Sequence, residues 1–307
     1  MREKSYDIIT ILGPTASGKT ALAAALAARL DAEVISGDSR QVYRGMDIGT
    51  GKDLDDYVVE QKRIPYHLID IVDAGEKYNV YQFQHDFHKA FEDVRERGHS
   101  VVFCGGSGLY LEAVLRGYKL LPVPQNEALR EALSDKSLDE LTYLLSKYKL
   151  LHNTTDVDTV KRAIRAIEIE EYYKSHAKEV SDFPQLKSLT IGLDLSRDER
   201  RSRISRRLDV RLKNGMIEEV QRLLDRDILA EDLIYYGLEY KYVTLYLTGK
   251  LDYTEMHRQL EIAIHQFAKR QMTWFRGMER RGISINWLPA DNGIENNVET
   301  ICGMLKQ

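Results

Sequence analysis

The stretch that decides the fold is Asp7-Ile8-Ile9-Thr10-Ile11-Leu12, followed by Gly13-Pro14-Thr15-Ala16-Ser17-Gly18-Lys19-Thr20 and an Ala/Leu-rich run to Leu30. The first six residues are short, apolar and β-branched, the pattern of a buried strand. Lys19 to Leu30 has the best helix-forming composition in the chain. Between them the loop matches G-x-x-x-x-G-K-[ST] at every fixed position. Its glycines let backbone N–H groups turn inward around an anion, and the helix N-terminus adds partial positive charge. Lys19 can bridge two phosphates, and Thr20 can offer its hydroxyl to Mg²⁺. The motif therefore specifies a phosphate group. Read alone it suggests a nucleoside triphosphate, without requiring one.

Working outward, Glu33 to Ser36 reads as a second strand that stops at Gly37-Asp38-Ser39. His67 to Val72 and Val101 to Cys104 read as further strands, with a helix over about Val80 to Arg97 between them. Gly105-Gly106-Ser107-Gly108 then turns into a helix from Leu109 to Arg116. Strands alternating with helices predict an α/β fold: a P-loop NTPase-like core with a mostly parallel sheet and helices on both faces. The rhythm breaks near Pro122 and Pro124. Helical periodicity follows over Glu127–Leu133, Leu138–Leu150 and Asp156–Lys174, before a strand-like run at Leu189–Leu195. Prolines 122, 124 and 184 mark the borders of this helical stretch. The expected organisation is core 1–120, a small all-helical insertion domain 121–188, and core 189–307 with C-terminal helices. The predicted elements of that last part are helices at about Arg197–Asn214, Met216–Asp225 and Tyr253–Arg276, a strand at Ile283–Trp287 and a final helix.

At 307 residues, 43% hydrophobic and 30% charged, the chain can bury a substantial core. It has no apolar run of membrane-spanning length and no signal-peptide core, and Cys104 and Cys302 lie too far apart for a metal-ligand pair. Two lone thiols fit a reducing compartment, so a cytoplasmic protein is expected. A net charge of −4 excludes a wholesale polyanion binder. Basic residues nevertheless cluster: Arg197 to Lys213 holds eight Lys/Arg against three Asp/Glu, and Lys269 to Arg281 surrounds Trp274 and Phe275. Such surfaces can hold RNA, although exposed helix faces carry similar charge.

Asp38 ends the second strand and Gly105-Gly106-Ser107-Gly108 the third, so both belong to the same sheet edge as the phosphate loop. That edge is where open α/β folds bind ligands. A carboxylate there can act as a base or hold Mg²⁺ through water; a turn or cap role is the simpler alternative. The strand Val101-Val102-Phe103-Cys104 ends in glycines rather than in a metal-binding Asp, which weakens an ATPase reading.

Together, Gly13–Thr20, Asp38-Ser39 and Val42-Tyr43-Arg44-Gly45-Met46-Asp47-Ile48-Gly49-Thr50 resemble the tRNA dimethylallyltransferases, or tRNA isopentenyltransferases. His67-Leu68-Ile69-Asp70, Gly105–Tyr110 and Ile191-Gly192-Leu193-Asp194 continue the match in family order, as does Gln266–Arg276. The insertion is matched only through Asp158–Ala166. The resemblance implies transfer of a dimethylallyl group from dimethylallyl diphosphate to N6 of adenosine 37, beside the tRNA anticodon. It implies that Gly13, Pro14, Thr15, Ala16, Ser17, Gly18, Lys19 and Thr20 hold the diphosphate, with Thr20 on Mg²⁺. Asp38 matches the proposed base, and Ser107 stands where threonine is usual, near the reacting amine. Of Arg203 and Arg207, one is expected on the diphosphate, and Arg203 is favoured. Candidate tRNA contacts are Asp38, Ser39, Arg40, Gln41, Arg44, Arg162, Lys269, Arg270, Gln271 and Arg276. Trp274 and Phe275 are expected in the core rather than under a base.

The sequence departs from the family's wording at Gly37 (usually serine or valine), at Gly51 (usually alanine) and at Tyr236-Gly237-Leu238-Glu239-Tyr240, where Gly-Ile-Gly-Tyr is typical. Without a C-terminal Cys/His extension, a bacterial-type enzyme is expected, and without an apolar heptad, a monomer. A P-loop nucleotide kinase with a lid, or an RNA-binding protein that has lost catalysis, are the competing readings.

Overall fold

The computed structural model describes residues 6–151, 157–176 and 182–306. The chain forms two compact units, Met1–Gly117 with Pro184–Gln307, and Tyr118–Phe183. The large unit is built on a six-stranded, all-parallel sheet in the order β5-β2-β6-β1-β7-β8. These strands are β1 (Ile8–Leu12), β2 (Ala32–Ser36), β5 (Tyr66–His67), β6 (Ser100–Gly105), β7 (Ser188–Asp194) and β8 (Ile285–Pro289). A separate hairpin pairs β3 (Val58–Val59) with β4 (Lys62–Arg63).

Side-chain alternation along β1 explains why helices cover both faces. Ile8 and Leu12 enter one hydrophobic cluster, and Ile9 and Ile11 the other. Leu22 and Leu26 of α1 (Lys19–Leu30) join the second cluster, as do Val298 and Ile301 of α12 (Ile294–Leu305). The first cluster takes residues from α2 (Val80–Glu96), α3 (Gly108–Leu115), α7 (Arg197–Lys213), α8 (Met216–Leu224), α9 (Ala230–Tyr236), α10 (Leu238–Leu247) and α11 (Tyr253–Arg280). With β1 central, β6 beside it and β2 beyond β6, the loops after these three strands open at one edge.

Some elements differ from the sequence expectation. The strand expected over His67–Val72 is only Tyr66–His67, because Leu68 (φ 60°) and Asp70 (φ 57°) take the left-handed conformation and break the ladder. The β3–β4 hairpin turns on Glu60 and Gln61, both left-handed (φ 47° and 68°), without the Asn-Gly signature that announces such turns. α9 and α10 were not expected; Gly237 separates them, at φ 153°.

The small unit contains α4 (Glu127–Leu133), α5 (Leu138–Ser146) and α6 (Val160–His176) around Leu133, Leu141, Leu145, Ala163 and Ile167. Glu168, buried among them, accepts from Arg130, Arg165 and the Asn126 backbone N–H. The expected start of the third helix, Asp156, lies outside the described residues.

Candidate active site

β1 ends at Leu12, and Gly13–Gly18 wraps the space above it before α1 begins at Lys19. Two left-handed residues, Ala16 (φ 63°) and Gly18 (φ 82°), make the wrap. The Ser17 hydroxyl is buried and has no hydrogen-bond partner among the described residues, as expected of a donor kept for a ligand. Lys19 sends its ammonium back toward the Pro14 carbonyl, 3.5 Å away. Desolvation holds it below the ordinary lysine value, against the opposing pull of the Asp38 carboxylate. A desolvated ammonium gains more than an exposed one from an arriving anion. Cys104 reaches the Lys19 carbonyl at 3.5 Å, and burial pushes its thiol up to about 12, so it is neutral and not a nucleophile at physiological pH.

Gln271 of α11 fixes the cradle. Its Oε1 accepts the Thr15 backbone N–H (2.9 Å), and its Nε2 donates to the Gly106 carbonyl (2.9 Å). One planar amide thus joins the loop after β1 to the loop after β6. Glycine at 106 leaves room for that amide: a Cβ there would lie 2.6 Å from the same Nε2 and would push it aside. Gln271 was a candidate tRNA contact; at 7% exposure it faces inward and clasps the phosphate loop instead.

Asp38 and Ser107 come together at the neighbouring strand ends. The Ser107 hydroxyl accepts the Ser39 N–H (3.0 Å) and donates to the Ser39 hydroxyl (3.2 Å). Asp38 Oδ1 accepts the Arg40 N–H (2.9 Å), which fixes the carboxylate, while Oδ2 has no hydrogen bond to a described residue. Gly37, the first departure, is explained by clearance. A Cβ there would meet Leu111 at 2.7 Å and Phe103 at 2.8 Å.

On α7, Ile204, Leu208 and Leu212 face the core and carry a stripe of arginines beside them. Arg203 donates to Glu199 (2.6 Å) on its own helix. Arg207 is the arginine that touches the cradle: Nη1 donates to Thr15 Oγ1 (3.3 Å) and Nη2 to Asp53 Oδ2 (2.9 Å). Helical spacing could not separate the two, because both share one face. Arg211, one turn further on, also donates to Asp53, at 3.3 Å. Neither Asp53 nor Arg211 was singled out in the sequence. Partial desolvation would raise Asp53, but Arg207 and then Arg211 outweigh it and leave the carboxyl below the usual carboxylate range.

Among the candidate tRNA contacts, Gln41 is also internal, bonding Ser36 (2.9 Å) and the Gly51 carbonyl (2.9 Å). Arg40 lies over the ring of Tyr235, 5.5 Å from its centroid, and Tyr235 is 51% exposed. This exposed aromatic against Arg40 was missed, since a Tyr in a short helix carries no sequence signal. Arg44 is exposed and paired with Asp73 (2.7 Å). Lys269, Arg270 and Arg276 are exposed along α11. Arg162 belongs to the small unit, paired with Asp158. Trp274 packs on Gly108 and donates to Glu112 (3.0 Å), and Phe275 is fully buried, both structural. The Met46–Thr50 block is held by Glu219 of α8, which accepts the backbone N–H groups of Asp47, Ile48 and Gly49 and the Tyr240 hydroxyl.

Among the described residues, no group of three or more His, Cys, Asp or Glu converges to hold a metal, and no helix is long and apolar enough to cross a membrane. A parallel sheet, a phosphate loop at its carboxyl edge and a fixed carboxylate two strands away on that same edge define a P-loop protein of the group-transfer class. Residues 41–278 match the family model for IPP transferase. The chain is 66% identical over 302 residues to tRNA dimethylallyltransferase 2 of Phocaeicola vulgatus, covering 98% of each chain. It is 62% identical over 307 residues to tRNA dimethylallyltransferase 2 of Bacteroides fragilis, covering 100% of each. Among solved structures it is similar to a full-length tRNA isopentenylpyrophosphate transferase of Bacillus halodurans (TM-score 0.69, 32% identity, 98% of this chain and 97% of that one). It is also similar to a eukaryotic dimethylallyltransferase acting on tRNA (TM-score 0.72, 25% identity, 93% and 74%). The chain belongs to the IPP transferase family.

Proposed function

We propose that this protein transfers a dimethylallyl group from dimethylallyl diphosphate to the exocyclic N6 of adenosine 37 in tRNA. The observation that carries this reading is the shared sheet edge: a clasped phosphate cradle after β1, Ser107 after the adjacent β6, and Asp38 after β2 on the far side of β6. The N6 lone pair bonds to the allylic carbon as the C–O bond breaks, and that bond's electrons leave with the diphosphate. The N6 proton goes to Asp38 Oδ2, with Oδ1 anchored on Arg40 N–H. Lys19, Arg207 and the backbone N–H groups of Ala16 and Gly18 stabilise the charge that grows on the leaving group. The Ser107 hydroxyl orients the amine. A covered base cannot reach this edge, so adenosine 37 leaves its stack, with Arg40, Tyr235 and the basic face of α11 as contacts for the anticodon loop.

Thr20 offers one oxygen in the first turn of α1, a donor set that fits Mg²⁺ shared with substrate phosphates and water rather than caged by protein. Bound there, the ion would neutralise diphosphate charge. The protein is assigned to the cytoplasm, acting as a monomer.

Incubating radiolabelled dimethylallyl diphosphate with unmodified tRNA, with and without protein, tests the reading. Label in tRNA bearing adenosine 37 is expected. No label in any such tRNA would sink it, and phosphorylation of a small acceptor from ATP would favour the kinase alternative.

A further inference from the structure

We propose that Arg211 is a second ligand for the donor's diphosphate, kept in place between turnovers by Asp53, which acts as an internal stand-in for that anion. The assignment rests on the diphosphate reading of the cradle and deepens it.

Three observations carry it. First, α7 sets Arg207 and Arg211 one turn apart, and both donate to the same Asp53 oxygen, Oδ2, at 2.9 and 3.3 Å. Two guanidinium groups share this one carboxylate a few ångströms from Thr15 of the phosphate loop, with Glu239 the further acidic group that faces them. Second, Arg207, Arg211, Thr15, Ala16 and Glu239 line one small cavity of about 10 Å³, the size of a single water, beside the loop. Third, the backbone makes room for the pair. Gly51 is left-handed (φ 65°), and a Cβ on it would run into the guanidinium nitrogens of both Arg211 and Arg207. Two departures from the family's wording therefore meet here: Gly51, and the α9–α10 segment that carries Glu239 in place of a second glycine.

The exchange is chemically plain. Asp53 is half-exposed, so it can return to water at little cost when a better acceptor arrives. A diphosphate brings more charge and more oxygens than a carboxylate, and planar guanidinium groups match its geometry. After transfer, Asp53 reclaims the pair and helps the product leave.

Calorimetric titration of the intact protein with inorganic diphosphate tests this. Arg211→Met should weaken binding by about tenfold or more, and Arg211→Lys should recover part of that loss. Asp53→Asn should tighten binding by about threefold to tenfold, since the competing anion is gone. In the transfer assay Arg211→Met should raise KM for the allylic diphosphate more than it lowers kcat. Binding by Arg211→Met within about twofold of the parent would overturn the assignment, as would weaker binding by Asp53→Asn. If Arg211→Met does not fold, Arg211→Lys and Asp53→Asn decide the matter by the same criteria. Failure of the parent itself to bind inorganic diphosphate would strike the cradle reading. Parental binding that is indifferent to Arg211 would strike only this one.

Discussion

Replacing Asp38 with Ala should abolish dimethylallyl transfer while tRNA retention on a filter stays within about threefold of the parent, because one carboxylate contributes little to a phosphate-dominated RNA contact. Lost retention would instead mark Asp38 as a binding residue. At Ser107, threonine keeps the hydroxyl that accepts the Ser39 N–H, whereas alanine removes it. Ser107→Thr should therefore transfer at near-parental rate, and Ser107→Ala should lose roughly tenfold or more in kcat/KM. Equal rates for the two variants would remove the hydroxyl from the mechanism. Positions set by local chain geometry were readable from the sequence: Lys19 and Thr20 follow Gly18 in one turn, whatever the rest of the chain does. Gln271 was not. Its side chain points inward because α11 crosses the strand ends, and nothing within several residues of it in sequence records that crossing. Arg207 and Arg203 pose the same problem, since helical period puts both on one face and only packing sets Thr15 against Arg207.

Among the elements, α11 carries the largest single structural demand. Leu260, Ile264, Ala268, Met272 and Phe275 form its buried stripe, and Phe275 is fully enclosed. Phe275→Ala should destabilise the large unit by about 3–5 kcal/mol in chemical denaturation, from lost burial and a retained cavity. A change under about 1 kcal/mol would mean that the site collapses freely. Gln271→Ala on the same helix should cost little stability but loosen the clasp between Thr15 and Gly106. Diphosphate affinity should then fall by roughly tenfold in calorimetry, and unchanged affinity would show that the loop holds its shape alone. Strand-helix alternation made the sheet legible, because buried parallel strands read as continuous apolar runs. Short elements escaped. α9 has seven residues and α10 ten, divided by Gly237, and neither is long enough to establish a period. β5 stops early because Leu68 and Asp70 adopt conformations that their side chains alone do not announce.

For the whole molecule, acid stability should depend on His88. Burial pushes its imidazole down to about 4, so the folded protein keeps it neutral where the unfolded chain, at about 6.5, does not. Its contribution is complete above pH 6.5 and is lost as pH falls toward 4, because the unfolded state takes up a proton the native state refuses. Denaturant midpoints measured from pH 7 to 4 should fall less steeply in His88→Leu than in the parent. Parallel slopes would exclude this residue as a source. The single amide of Gln271 also has a consequence in time. Strand, loop and first helix are all synthesised within the opening thirty residues, but the group that clasps them is the two-hundred-and-seventy-first. A nascent chain on the ribosome therefore carries a complete phosphate motif that is not yet closed. Competence to grip diphosphate should arrive late in translation, when α11 clears the exit tunnel, and not when the motif itself emerges.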